Sequence, residues 1–144
     1  MQKVTKYFLL CSSGLLLWTL LASGQSIYLE DRFGEEIYFI DGNTMRSKDR
    51  FGEALFYLDG QTIRNKDVFG EALYYCEGST IRMNDRFGDE LYFFDGLIVK
   101  SEDRFGDELY YIDQQTLRLR DRFGDPLFYC DTVIPKWVVV CLIR

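Results

Sequence analysis

From residue 31 onward the hydrophobic and polar positions recur with a period of eighteen. Residues 49 to 66 read DRFGEALFYLDGQTIRNK, and DVFGEALYYCEGSTIRMN follows without a gap. Six copies open at Asp31, Asp49, Asp67, Asp85, Asp103 and Asp121, and the sixth runs out at Val138. No insertion interrupts them, so whatever unit one copy forms, all six form. Each copy has two short apolar-bearing runs, such as Leu109 to Asp113 and Thr62 to Lys66. At about 3.3 Å per residue each run makes a strand of common length. The pattern predicts twelve strands in a meander.

The second run alternates cleanly. Thr44, Thr62, Thr80 and Thr116 precede Met45, Ile63, Ile81 and Leu117, which precede Arg46, Arg64, Arg82 and Arg118. That is apolar-in, polar-out. The first run is apolar on both faces. Ile37, Leu55, Leu73, Leu91, Leu109 and Leu127 share one face with Phe39, Tyr57, Tyr75, Phe93, Tyr111 and Tyr129. Tyr38, Phe56, Tyr74, Tyr92, Tyr110 and Phe128 share the other with Ile40, Leu58, Cys76, Phe94, Ile112 and Cys130. One face is either covered by something else or exposed for binding.

Two turn signals separate the runs. In D-R-F-G the Asp carboxylate suits a bond to the backbone two residues on, and the Gly suits a left-handed residue closing a hairpin loop. The second signal is Asp41-Gly42, Asp59-Gly60, Glu77-Gly78 or Asp95-Gly96, the mark of a tight hairpin. Copies five and six carry Asp113-Gln114 and Asp131-Thr132 instead, which predicts looser turns or turns of another type.

Equal hairpins in series stack as an open solenoid or curl into a ring, and a ring removes exposed edges. Residues 25 to 30, QSIYLE, read as the second half of a repeat whose first half is missing, and the chain continues past the last DRFG copy as VIPKWVVVCLI. Tail and head can therefore meet. A twelve-strand barrel tilted near 40° has a backbone diameter of roughly 24 Å, leaving a bore of about 10 Å, the width of a helix. The ring must flatten, take in the apolar tail, hold a lipid-like guest or surround a helix. The fold expectation is all-β: six eighteen-residue β-hairpin repeats in a closed or nearly closed twelve-stranded antiparallel ring, with an N-terminal apolar helix.

That helix comes from residues 1 to 24. Lys3 and Lys6 precede an apolar run from Tyr7 to Ala22, closed by Ser23 and Gly24, which is the pattern of a secretory signal peptide. Cleavage before Gln25 leaves a domain of residues 25 to 144 that is periplasmic, on the outer surface or secreted. The alternative is a retained helix, with residues 7 to 22 in the bilayer or threaded through the ring. The chain carries a formal charge of −6, and loss of Lys3 and Lys6 makes it more acidic, so no general field favours nucleic acid.

The Tyr and Asp-Gly hairpin repeats behind a signal peptide resemble the bacterial β-flower proteins, shallow rings of hairpins. Their architecture is similar to the Tubby C-terminal domain, a twelve-stranded barrel around an apolar helix that associates with membrane phosphoinositides. The likeness covers residues 31 to 138 and implies the ring, without carrying over any functional residue. Tyr74-Tyr75 and Tyr110-Tyr111 also resemble the paired tyrosines of choline-binding cell-wall repeats, although beyond residue 24 the chain has Trp137 alone and so lacks the recurring Trp of a cation cage.

With no His in the chain, the usual imidazole base and ligand are both missing, and the expectation is a non-enzymatic binding or structural module. The candidate binding face is the row Tyr38, Phe56, Tyr74, Tyr92, Tyr110 and Phe128. Its candidate partners are envelope polysaccharide, lipid or another protein. The turn acids with Glu35, Glu53, Glu71, Asp89, Asp107 and Asp125 make an acidic rim that turn chemistry explains without calcium. The row Arg46, Arg64, Arg82, Lys100, Arg118 and Lys136 is expected in cross-strand ion pairs. Cys76 and Cys130 fall in opposite repeats of a ring, beyond the roughly 7 Å limit for a disulfide. Cys130 with Cys141 is the candidate disulfide, formed when the tail folds back. No residue is assigned to catalysis, a cofactor or a metal.

Overall fold

In a computed structural model that describes residues 24–144, the chain forms a closed antiparallel barrel of twelve strands. They are β1 (Gln25–Leu29), β2 (Glu36–Asp41), β3 (Thr44–Ser47), β4 (Ala54–Asp59), β5 (Thr62–Asn65), β6 (Ala72–Glu77), β7 (Thr80–Met83), β8 (Glu90–Asp95), β9 (Ile98–Ser101), β10 (Glu108–Asp113), β11 (Thr116–Leu119) and β12 (Pro126–Cys130). Each strand pairs with its sequence neighbours, and β1 pairs with β12 to close the ring through Ile27↔Cys130, Tyr28↔Tyr129 and Leu29↔Phe128. So β1 supplies the second strand that repeat six lacks.

The released end of repeat six does something else. Pro135 has no N–H to give a ladder, and after it helix α1 (Lys136–Ile143) runs inside the barrel. Val138, Val139 and Val140 are fully buried, and Cys141 and Ile143 nearly so. Three consecutive valines make a poor helix in isolation, and eight residues are too few to hold one in water. Apolar walls on every side make this one stable: Ile27, Met45, Ile63, Ile81, Val99 and Leu117 all point inward and join the same core. Of the four ways to fill the bore, the chain uses its own tail. The expected N-terminal helix falls on residues outside those described.

This placement changes one row. Lys136 does not continue the outer Arg/Lys row on the sheet; it opens α1, with its Nζ 5.6 Å from the centre of the Phe94 ring. The first-strand leucines shift as well. Every pairing between one repeat and the next carries a register shift, for example between Met45 and Arg46, whereas the hairpins within repeats carry none. Such a bulge re-aims side chains, and Ile37, Leu55 and Leu73 pack against the core rather than standing with Phe39, Tyr57 and Tyr75 on the outer wall.

The two ends of the barrel are built differently. At one end, tight turns such as Gly42-Asn43 join strands paired Asp41↔Thr44, with positive φ at Gly42 alone, as a type II′ turn requires. Repeat five keeps the same two-residue loop, Asp113↔Thr116, and forces Gln114 to φ 51°, so its turn is not looser. The same turn also holds the tail: the Gln114 carbonyl accepts the Ile134 N–H at 3.0 Å, and the Gln115 side chain donates to the Asp131 carbonyl at 2.7 Å, as the chain turns inward.

At the other end, in the DRFG loops, the Gly is not the left-handed residue. That role falls to the residue before each Asp, as at Lys48 (φ 62°) and Lys66 (φ 64°). The Gly is needed for closeness instead, because a Cβ on Gly52 would overlap the Ser47 carbonyl oxygen, whereas one on Gly60 would meet open space at φ +62°. Gly52→Ala is therefore expected to lower stability by roughly 2–4 kcal/mol, and Gly60→Ala by about 1–2 kcal/mol. Chemical denaturation of the two variants checks the order.

Candidate functional site

The six DRFG loops form a crown around one mouth of the barrel. In every loop the Asp carboxylate accepts the backbone N–H two residues on, from 2.8 Å at Phe33 to 2.9 Å at Phe69, and the Asp carbonyl accepts the Gly N–H at about 3 Å, as at Gly34. The turn therefore holds its Phe outward. Phe33, Phe51, Phe69, Phe87, Phe105 and Phe123 are 81–94% exposed, the largest apolar groups facing water in the described chain. Isolated exposed apolar residues need no explanation, but six at equivalent positions around one mouth make this the most apolar feature of the described surface.

Arginines organise this surface from two directions. Arg32, Arg86, Arg104 and Arg122 each lie about 4.6–4.7 Å from the neighbouring Phe ring centre, and Arg50 lies 5.3 Å from Phe51. The third loop has Val68 in that position, so Phe69 stands bare. On the outer wall Arg46, Arg64, Arg82 and Arg118 donate to the carbonyls of Gly52, Gly70, Gly88 and Gly124 at 3.2–3.3 Å, and Lys100 does the same to Arg104 at 3.1 Å. These cations also pair with acids, from Lys100–Asp95 at 2.9 Å to Arg46–Asp41 at 4.0 Å. The row pins the crown loops to the wall. It is committed to the fold and does not form an open cationic surface.

The aromatic row singled out from sequence lies inside the crown's mouth. Phe56 is 2% exposed, and Tyr38, Tyr74, Tyr92, Tyr110 and Phe128 are half-buried against the core around α1. The Tyr92 hydroxyl reaches the Ile143 carbonyl at 3.5 Å, at the last turn of the helix. Burial raises the Tyr74 and Tyr92 phenols above their ordinary pKa. The crown phenylalanines escape a strand-based reading because they belong to no strand. Their signal is the turn itself: a residue between the Asp and Gly of a surface loop has no wall to pack on.

Acids outnumber cations in the crown loops, and no cluster of three or more metal-binding side chains forms among the described residues. Cys76, Cys130 and Cys141 are free thiols. Cys141 faces the core from α1, and burial pushes all three upward, Cys76 to about 11. Comparison with protein-family models, with curated proteins and with solved structures returns no match.

The thiol shifts fix a pH dependence. A thiol raised by burial binds its proton more tightly in the folded state. Its contribution is complete below the ordinary thiol pKa of about 8.5 and is lost as pH climbs through about 11. The denaturant midpoint is expected to fall between pH 9 and pH 11, and Cys76→Ile to flatten that fall. Midpoints measured across this range check both.

Proposed function

We propose that this chain is a non-enzymatic exported binding module whose contact surface is the DRFG crown. The observation that carries the reading is the ring of six phenylalanines held outward at 81–94% exposure. A fold does not leave so much aromatic surface in water at equivalent positions without a use for it. The acid excess around it favours an occupant that is basic as well as apolar, namely a protein surface, and disfavours an anionic membrane. Pseudo-sixfold repetition of a modest contact adds strength through number rather than through one hot spot.

The resemblance to β-flower rings supports the architecture and is silent on the ligand. The alternative of a membrane-anchored protein fits one observation: Gly24 leads into β1 beside Ile40, at the tight-turn end. An anchor there leaves the crown facing away from its own membrane. Both readings therefore give the crown the same work.

A variant with all six crown phenylalanines changed to Ser should still fold and melt cooperatively, since exposed substitutions cost about 0.5 kcal/mol or less each, at most about 3 kcal/mol together. It is expected to lose retention of envelope proteins that the native chain holds at low salt and releases at high salt. Co-sedimentation with envelope protein, purified cell-wall glycan and anionic vesicles separates the outcomes. Equal retention by the Ser variant, or native binding to glycan or vesicles alone, overturns the reading.

A further inference from the structure

In a ring of near-identical repeats a specialised place shows as broken symmetry. Two of the breaks fall at one sector of the crown, around the loop between β5 and β6. Val68 replaces the Arg that covers Phe in the other five copies, leaving Phe69 the most exposed ring of the six. Beside the start of the same loop is a cleft of about 240 Å³, lined by the apolar Ala54, Leu55, Phe56 and Leu73 and by Asn65, Lys66 and Arg144. Arg144 follows α1 and brings to this sector a side chain that no repeat contains.

Two positive charges face this cleft in a chain whose formal charge is −6. The Arg144 guanidinium lies 4.6 Å from the Phe56 ring centre and makes no ion pair with the described residues. Lys66 pairs only with Glu53, at 3.6 Å, with both side chains well exposed (63% and 71%), a contact worth little in water. Arginine elsewhere in the outer row is spent on loop carbonyls and acids, whereas these two cations are not held that way.

We propose that this cleft binds a single-chain fatty-acyl carboxylate. The acyl chain lies along the partly exposed Leu55 and Leu73, beside the Arg144-covered Phe56, and the carboxylate sits between Lys66 Nζ and the Arg144 guanidinium, which presents paired donors suited to it. At about 240 Å³ the cleft is smaller than most small-molecule sites, which leaves room for one chain and not for a two-chain lipid. A quaternary ammonium is refused by the same two cations. The inference goes beyond crown docking and stands or falls separately from it, since none of the six crown phenylalanines lines the cleft.

Calorimetry with monomeric dodecanoate, dodecyl maltoside and dodecyltrimethylammonium at neutral pH tests it. The native chain is expected to bind one dodecanoate, the maltoside at least tenfold more weakly, and the ammonium not at all. The double variant Lys66→Gln, Arg144→Gln should lose at least tenfold in dodecanoate affinity. Arg120→Gln, at the place equivalent to Lys66 in another sector, should bind as the native chain does. Lys66, Arg144 and Arg120 are exposed, so the fold survives each change, and a thermal melt verifies that. Absence of dodecanoate binding, equal binding of the three amphiphiles, or an undiminished double variant overturns the proposal.

Discussion

The width of a twelve-strand barrel governs this molecule. Side chains from opposite walls of a ring roughly 24 Å across cannot meet, so the bore needs an apolar filler about as wide as a helix. The chain supplies it from its own tail, where Val138, Val139 and Val140 have no solvent exposure. The dependence runs both ways. The ring without α1 has a hollow apolar centre, and α1 without the ring is a short valine-rich segment that water would melt.

Filling the bore forces a break in the repeat. Repeat six gives up its second strand to make the helix, and the vacancy is taken by β1 from the other end of the domain. One exchange thus closes the ring and plugs it. The inward-turning tail is tied to its neighbour: Gln114 keeps the left-handed conformation that Gly holds in the other turns and accepts the Ile134 N–H, and the Gln115 side chain donates to the Asp131 carbonyl. At the opposite mouth the repeats stay regular, each loop fastened by its Asp and pinned in most copies by an outer Arg, so that six Phe rings stand in water. Symmetry fails there at Val68 and Arg144.

Much of the fold was legible because it is periodic. Inward Met45, Ile63, Ile81 and Leu117 follow from strict alternation, and the Asp side chain of each DRFG loop bonds the backbone as its turn chemistry requires. Legibility ended where one local rule met another. Alternation puts Leu55 with Tyr57, but a bulge between repeats turns it toward the core. Periodicity puts Lys136 in the outer row, but Pro135 ends the strand pattern and the otherwise hollow apolar centre takes the tail in as a helix. Asp-Gln at repeat five suggests a loose turn, but strand register holds it tight. The aromatic row was legible as one inward face of the strands, but that the tail helix would lie against it was not, since nothing in the alternation says what fills the ring. The Phe of a surface turn is the position with no packing alternative.

The central claim is that α1 is the core of the barrel and as well protected as its walls. Native-state hydrogen exchange reads this directly at the amides of Val140 and Cys141, which lie within the helix, against those of Ile63 and Leu117 on the inner wall. The account predicts that all four exchange only with global unfolding, sharing one free energy and one denaturant dependence. Rapid exchange of the helix amides while the strand amides remain protected would contradict it.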